Sequence, residues 1–397
     1  MAEPPNSHHY PFPPANAAHE SARLNVQHEL SLADSDGALF LSPFPAKSRV
    51  SDSPAPKKTT TNNRSGRRLR VADIGTGTAI WAAEFARLNP DMDVFGLDIG
   101  SLPDPANLPK PMPPNLHFAL QDVQAGPWPS FGADKDNTTN APLPFDLIHG
   151  RQIILNLPNP AAALRQVWNN LRPGSGLVEF REFWNPMAQA SSDSASDILG
   201  LASHGSSGHQ PNKASTDGGS SSLNSASATT PVPLLVEWHR LIVKAAAAIN
   251  GCDHSFAAKL PDALRAAGFV DIHVVDRLLP LGWVPKIDNI NKAKDHREEV
   301  ELHYQKIDYW LRELVRVGAP VMTGEMFVKG LGWSPEEASA YAERVVAELG
   351  RTDLGQERIY VRFRVVWARR PKETLFAGAA KGFMQVVKRV FRCGACT

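Results

Sequence analysis

The sequence predicts a doubly wound α/β fold on a mostly parallel sheet, with an antiparallel strand near its edge. Three observations carry this reading. Strand-like and helix-like stretches alternate between residues 67 and 187, a glycine-rich turn joins the first strand to the first helix, and acidic residues stand at the ends of successive strands. Strands that alternate with helices need crossover connections and therefore form a parallel sheet. Ligands of such sheets bind beyond the carboxyl ends of the strands.

Residues 69–74 (LRVADI) are short and β-leaning. Gly75-Thr76-Gly77-Thr78 turns the chain, and residues 79–89 follow as a helix, because Ile80, Trp81, Ala83, Phe85 and Leu88 recur near helical spacing and Pro90 stops the run. Residues 94–97 form a second strand ending in Asp98, and residues 116–120 a third ending near Asp122. A fourth strand begins at 145–148, residues 161–171 form a helix, Arg172-Pro173-Gly174 turns, and 177–180 make a fifth strand. Further on, residues 232–249 read as a helix with a large apolar face and 301–317 as an amphipathic one, the kind of helix that covers a crevice. In residues 359–368, Tyr360, Arg362 and Arg364 alternate with Val361, Phe363, Val365 and Trp367, which predicts the strand near the sheet edge.

The flanks differ in character. The chain has 33 prolines in 397 residues, above the usual ~5%. Residues 1–66 are rich in Pro, Ser, Asn and Ala, and clusters such as Leu39-Phe40-Leu41 are too few to offset the entropy of ordering them, so this segment is expected to be disordered. The serine-rich stretch 188–233 far exceeds the ~12–15 residues of a structureless loop inside a domain and is expected to be a disordered insertion. One domain over 67–371, interrupted by that insertion, and a basic tail at 372–397 complete the organisation. With 42 basic against 41 acidic side chains, the chain lacks the charge excess of a nucleic-acid binder, so no direct nucleic-acid partner is expected. Three cysteines make no disulfide framework, which fits a reducing interior. No long apolar run or basic n-region marks a membrane span or secretory signal, so a soluble, non-secreted protein is expected.

The most informative segment is Val71 to Ala79, where a strand enters and a helix leaves. Glycines there let the backbone turn sharply and approach a ligand closely. A dinucleotide fingerprint wants Gly or Ala where Ile80 stands, and a Walker-type loop wants a Lys-Ser/Thr pair that is absent. What remains is an acid, Asp73, at the end of the first strand and two glycines after it. Asp98 is placed to accept hydrogen bonds from two ribose hydroxyls. Asp122 is placed to accept from an adenine amino group while the adjacent backbone reads the ring.

These features resemble the class I S-adenosylmethionine-dependent methyltransferases and, among them, the fungal LaeA-like group. The resemblance rests on VADIGTGTAIWAAEFARLNP, VFGLDIG, LHFALQDVQAGPW, FDLIHGR, LRPGSGLVEFREF, AAGFVDIHVVDRLLPLGW, LGWSPEEA and IYVRFRVVWARRP. It implies a Rossmann-like fold and S-adenosyl-L-methionine as cofactor. It places Gly75, Thr76 and Gly77 under the amino-acid part of that cofactor with Asp73 near its ammonium, Asp98 on the ribose, Asp122 and Val123 on adenine, and Trp128 over the adenine pocket. His149 and Arg151 would face the region where the methyl group leaves. The sequence departs from the family at Ala79, where a third glycine is usual, and at Glu357-Arg358, where a histidine near Tyr360 is usual.

Methyl transfer needs a general base only when the acceptor starts protonated. His149 is the candidate, since an imidazole titrates near neutrality; Glu182 is a weaker one. No metal site is expected. In the tail, Phe376, Ala380, Phe383, Val387, Val390 and Phe391 form one helical stripe beside Lys381, Lys388, Arg389 and Arg392, compatible with weak contact on an anionic membrane or a protein partner over 374–397. Cys393 and Cys396 are not a prenylation box. The resemblance implies methylation of a small-molecule acceptor in fungal secondary metabolism. Its alternative is a LaeA-like nuclear regulator acting through protein complexes. The absence of a clear basic import run favours a cytoplasmic location, with the nucleus as the alternative.

Overall fold

A computed structural model of the chain describes residues 17–49, 67–100, 110–129, 143–183, 187–190, 232–285 and 294–372. Eight strands form one sheet: β1 (Arg70–Ile74), β2 (Asp93–Asp98), β3 (Leu116–Leu120), β4 (Leu147–Arg151), β5 (Leu177–Phe183), the two-residue β6 (Ala188–Gln189), β7 (Val270–Leu281) and β8 (Ile359–Arg369). The path runs β3-β2-β1-β4-β5-β8, with β7 on the far side of β8 and β6 pairing at Tyr360 and Ile359. Strands β3 to β5 on this path are parallel, and β8 is antiparallel to both β5 and β7. The order reverses between β1 and β4, which is where a doubly wound sheet opens its crevice.

Seven helices flank the sheet among the described residues: α1 (Ala18–Asp34), α2 (Ile80–Leu88), α3 (Pro160–Asn170), α4 (Leu234–Asn250), α5 (Phe256–Ala266), α6 (Lys294–Met326) and α7 (Pro335–Glu348). Helix α3 begins where Asn159 accepts from the Ala162 N–H, with Pro160 in the first turn, and α7 begins with a full capping box between Ser334 and Glu337. Helix α6 runs well beyond the expected 301–317, through Gly318 and Pro320. Burial of Ile307, Leu311, Val315, Ala319 and Met326 in one core outweighs the local propensity of those two residues.

The expected antiparallel strand near the edge is β8, and β7, unmarked in the sequence reading, pairs along its outer side. Its polar face is covered: Arg364 is bound by both oxygens of Asp276 and by the carbonyls of Ala257 and Ala258. One expectation is corrected, the disorder of 1–66, since residues 18–34 form α1 and the chain is described to Arg49. Leu39, Phe40 and Phe44 bury themselves against Trp81, Phe85 and Ala86 of α2, and the Trp81 indole donates to the Leu39 carbonyl at 2.8 Å. The apolar cluster is short, yet it finds a ready-made hydrophobic face. Residues 1–16 and 50–66, most of the serine-rich insertion (191–231) and the tail with Cys393 and Cys396 lie outside the described residues. Among the described residues no helix is long and apolar enough to cross a membrane.

Candidate functional site

The glycine turn follows β1 directly. Gly75 and Gly77 take positive φ of 64° and 55°, and Ala79 also lies in the left-handed region at 59°. A Cβ on Gly75 would come within 2.7 Å of Ile153, so the glycine is required by packing as well as by the turn. Ala79, where the resembled family has a third glycine, is fully buried and holds the left-handed N-cap position of α2.

Asp98, at the end of β2, closes the turn. Its Oδ2 accepts from the Gly77 N–H at 2.8 Å and its Oδ1 from the Gly100 N–H at 3.0 Å, while burial raises the carboxyl above the usual range. Each oxygen accepts more than one bond, so this half-buried carboxylate still has capacity for a vicinal diol. Asp122 lies just beyond β3, and the Gln121 N–H donates to the Asp98 carbonyl at 2.6 Å, tying the two strand ends together. The Asp122 carboxylate accepts from the Gln124 N–H at 2.9 Å, and Val123 is buried in the cluster that holds Trp128. Asp98, Gly77, Asp122 and Val123 therefore stand along one stretch of the crevice, and their donor set fits an adenosine.

Asp73 does not fit its expected role. Thr76 donates its hydroxyl to Oδ2 at 2.7 Å, and His149 Nδ1 lies 2.9 Å from Oδ1. Asp73 is 4% exposed, so it organises the turn instead of reaching an ammonium group. His149 is corrected with it. The register pairs Asp73 with His149 and His149 with Glu179, so the three side chains share one face of the sheet. A carboxylate only accepts, so Nδ1 carries the proton that bonds Asp73. The imidazole is fully buried, stacked on Trp81 at 3.8 Å between centroids, and burial lowers its pKa. It is a buried, packed residue whose Nε2 has no hydrogen-bond partner among the described residues. Glu182, the weaker base candidate, is fully buried as well: its Oε1 accepts from the Ile153 and Ile154 N–H groups at 3.1 and 3.0 Å, and burial pushes the carboxyl up to about 8. It shapes the turn after β4. Trp128 is 2% exposed and packs near Phe145, inside the core beneath the expected adenine pocket.

Arg151, at the end of β4, lies at the crevice, where it meets a set of residues that sequence reasoning missed. Helix α1 lies across the carboxyl ends of the strands. Asn25 accepts from the Thr78 hydroxyl at 3.0 Å, and Leu24 sits 3.2 Å from where a Gly77 Cβ would be. Arg151 donates from Nη1 to His28 Nδ1 at 2.8 Å. Because arginine only donates, His28 Nε2 carries its proton and donates to Glu84 of α2 at 2.9 Å. Burial lowers the His28 pKa, which suits this neutral tautomer. Farther along, Arg181 donates to Ser31, Ser35 and Glu179, and Glu179 accepts from the Leu41 and Ser42 N–H groups. The only trace of this set in the sequence is the spacing of Glu20, Arg23, Gln27, Ser31 and Asp34, which is helical but polar.

Between α1 and strands β4, β5, β7 and β8 lies a small cavity of about 10 Å3, the room of one water molecule, partly open to solvent. Arg151, Gln152, Ser31 and Asp34 supply its polar lining, and Phe183 and Phe363 part of its apolar lining.

Residues 33–214 match the family described as "Methyltransferase domain". The secondary metabolism regulator LAE1 of Cochliobolus heterostrophus is 25% identical over 41% of this chain and 43% of its own length. The N-methyltransferase gliN of Aspergillus fumigatus is 29% identical over 41% of this chain and 47% of its own. The methyltransferase pytC of Aspergillus terreus is 23% identical over 87% of this chain and 79% of its own. The matched stretch thus spans less than half the length of the first two relatives.

Proposed function

From the membership of this chain in the class I S-adenosylmethionine-dependent methyltransferases, LaeA-like family, we infer that it transfers a methyl group from S-adenosylmethionine to a small-molecule acceptor in fungal secondary metabolism. The observation that carries this reading is the closure of the glycine turn by Asp98, whose carboxylate holds the Gly77 N–H and keeps capacity for ribose. Asp98 would hold the ribose hydroxyls, and Asp122 with the Val123 backbone would hold the adenine edge.

The cofactor supplies a methyl group already activated by the positive charge on its sulfur. What is left to the protein is alignment and exclusion of water, and alignment contributes up to ~7–11 kcal/mol in well-oriented systems. Gly75 and Gly77 set the path of the backbone under the donor. Helix α1 covers the turn through Leu24 and Asn25 and screens it from solvent.

Calorimetry with S-adenosylhomocysteine tests the reading. The wild-type chain is expected to bind it and Asp98→Asn to lose at least about tenfold in affinity, the scale of one charge-assisted hydrogen bond. An unchanged affinity in the variant would contradict the placement. The relatives named as secondary metabolism regulators support a second reading, assembly with protein partners. Stoichiometric capture of transcription factors from cells, with metabolite levels dependent on transcription alone, would favour it.

A further inference from the structure

Helix α1 covers the glycine turn through a run of contacts at 24–28. Leu24 lies 3.2 Å from where a Gly77 Cβ would be, Asn25 accepts from the Thr78 hydroxyl, and His28 joins α1 to β4 and to α2. The His28 imidazole is sealed from solvent at 0% exposure. Both of its nitrogens are engaged, in opposite senses: Nδ1 accepts from Arg151 Nη1 at 2.8 Å, and Nε2 donates to Glu84 at 2.9 Å. Only the neutral ring can make both bonds. A second proton would occupy the Nδ1 lone pair, break the bond from Arg151 and set an imidazolium against a guanidinium. Burial lowers the Arg151 pKa only to about 10, so that group is charged throughout the neutral range.

Other charges around the ring bear on its titration. Burial outweighs Glu84 on α2 and Asp73 on β1, which favour the protonated form, and Arg151 opposes that form, so the docked His28 lies below the 6.5 of a free imidazole. Docking is therefore strongest above pH 6.5 and weakens as pH falls through that value, because the released helix takes up a proton that the docked helix refuses. Glu29 and Asp34 of α1 act the other way: burial raises both carboxyls, so their protonation favours the docked helix in acid. His303 of α6, 3.3 Å from Asp36 just past α1, pairs with it when protonated and acts in the same sense. In the sheet beneath, Glu179 and Arg181 form a buried ion pair, and burial lowers His149, whose hydrogen bond runs to Asp73 and not to α1. A free imidazole is about tenfold more neutral than charged at pH ~7.5, and about tenfold the reverse at pH ~5.5. His28 alone can thus shift the balance toward release by up to about tenfold between those values.

We propose that α1 is a pH-released cover: protonation of His28 frees Arg151, lifts the helix from the glycine turn and opens that turn to exchange of its ligand. The proposal rests on the methyltransferase reading for the identity of that ligand, S-adenosylmethionine or its demethylated product, and deepens it by naming the condition under which the site opens. His28 is a positioning residue here, acting through Arg151 and Glu84 on the place of α1. Glutamine is its non-titrating stand-in, since an amide oxygen can accept from Arg151 while the amide N–H donates to Glu84.

Two measurements on the full chain test this. The first is hydrogen exchange across residues 18–34 at pH ~7.5 and ~5.5, corrected for the intrinsic pH dependence of exchange and needing no ligand. In the wild type, protection at the lower pH is expected to fall about five- to tenfold relative to that of β1 and β4. In His28→Gln the fall is expected to stay below about twofold, with protection at the higher pH within about threefold of wild type. A wild-type change below about twofold, or an equal fall in the variant, overturns the proposal. Should His28→Gln misfold, Arg151→Met carries the same comparison, because an imidazolium paired with Glu84 then meets no opposing cation at Nδ1. A fall there equal to that of the wild type overturns the proposal as well. The second measurement is the release of tritiated S-adenosylhomocysteine into excess unlabelled ligand, whose rate is expected to rise by the same factor as the opening of α1. A rate that stays constant while α1 protection falls overturns the gating role. Absence of any S-adenosylhomocysteine binding removes the methyltransferase reading and the gate together, and the ligand-free exchange arm tells that failure from a failure of the His28 latch.

Discussion

Glu179 is the latch between the sheet and the N-terminal segment, and its removal has a calculable consequence. The carboxylate is fully buried, accepts from Leu41 at 3.1 and 3.0 Å and from Ser42 at 2.6 Å, and faces Arg181 at 3.0 Å. In Glu179→Ala two backbone donors lose a charged acceptor, each worth about 1.5–3 kcal/mol. Arg181 is also left buried without its counter-charge, and breaking such a pair costs about 3–5 kcal/mol. These contributions overlap, because the same carboxylate serves both, so the expected loss is about 3–5 kcal/mol and not their sum. It falls first on residues 38–49, whose tie to β5 runs through this one side chain. Hydrogen exchange at Leu41 and Ser42 should accelerate by about two to four orders of magnitude, with a matching loss in urea-unfolding free energy. Unchanged protection at both amides, with a stability loss below about 1 kcal/mol, would refute the assignment of the latch.

Other changes give separable results. Glu182→Gln should stabilise the protein at neutral pH: the folded-state carboxyl is raised to about 8 from 4.5, so wild-type stability is fullest below about pH 4.5 and declines as pH rises to about 8. The variant, whose amide oxygen can still accept from Ile153 and Ile154, should gain on the order of 3 kcal/mol at pH 7 in urea titrations, and little at pH 4. Asp146 has the opposite sign. Its carboxylate, bound by Arg67, Arg172 and the Arg70 N–H, is lowered below 3.8, so it contributes stability above that value that is lost as pH falls through the folded-state pKa. Asp146→Asn should therefore lose stability at pH 7 and much less at pH 3. Gly75→Ala should cost about 2–4 kcal/mol from the left-handed backbone and the approach to Ile153, and Ile153→Ala on that background should recover only the steric share, read as a double-mutant cycle. His149→Phe, which keeps a ring on Trp81 but strips Asp73 of a donor, should lower the melting temperature by the equivalent of about 1–3 kcal/mol, measured by calorimetry.

What the sequence made legible follows from which interactions are local. The glycine turn, the strands with their terminal acids and the helix after β1 are each specified within about ten residues, where periodicity and turn chemistry act. Asp98 and Asp122 could be placed at strand ends because a strand end is a local event. Their neighbours Asp73 and His149 could not be assigned correctly, since only the register shows that they face each other and that Trp81 seals them in. Strand β7 escaped notice because its outward residues, Val270 to Arg277, are mostly half-exposed, and its alternation of polar and apolar side chains is irregular. The strongest failure is α1, and it has one cause. Its buried face is Glu20, Ser21, Arg23, Gln27, His28, Ser31 and Asp34 with Leu30 as its one buried apolar residue, a set that no hydrophobic criterion selects.

That same stripe explains why the N-terminal segment matters to the site. A helix held by apolar burial would owe its place to packing area alone. This one buries Leu30 in the core it shares with α6 and is held besides by Glu84 through His28, by Arg151, by Arg181 and by Thr78, at strand ends, in the glycine turn or on α2. Isolated, α1 would be marginal in water and its polar face would have no reason to choose one partner. Docked, each of those side chains completes a hydrogen bond that the crevice itself lacks. Position of the helix and order of the crevice are therefore one equilibrium, and a substitution at His28 should loosen Arg151 as much as it loosens α1.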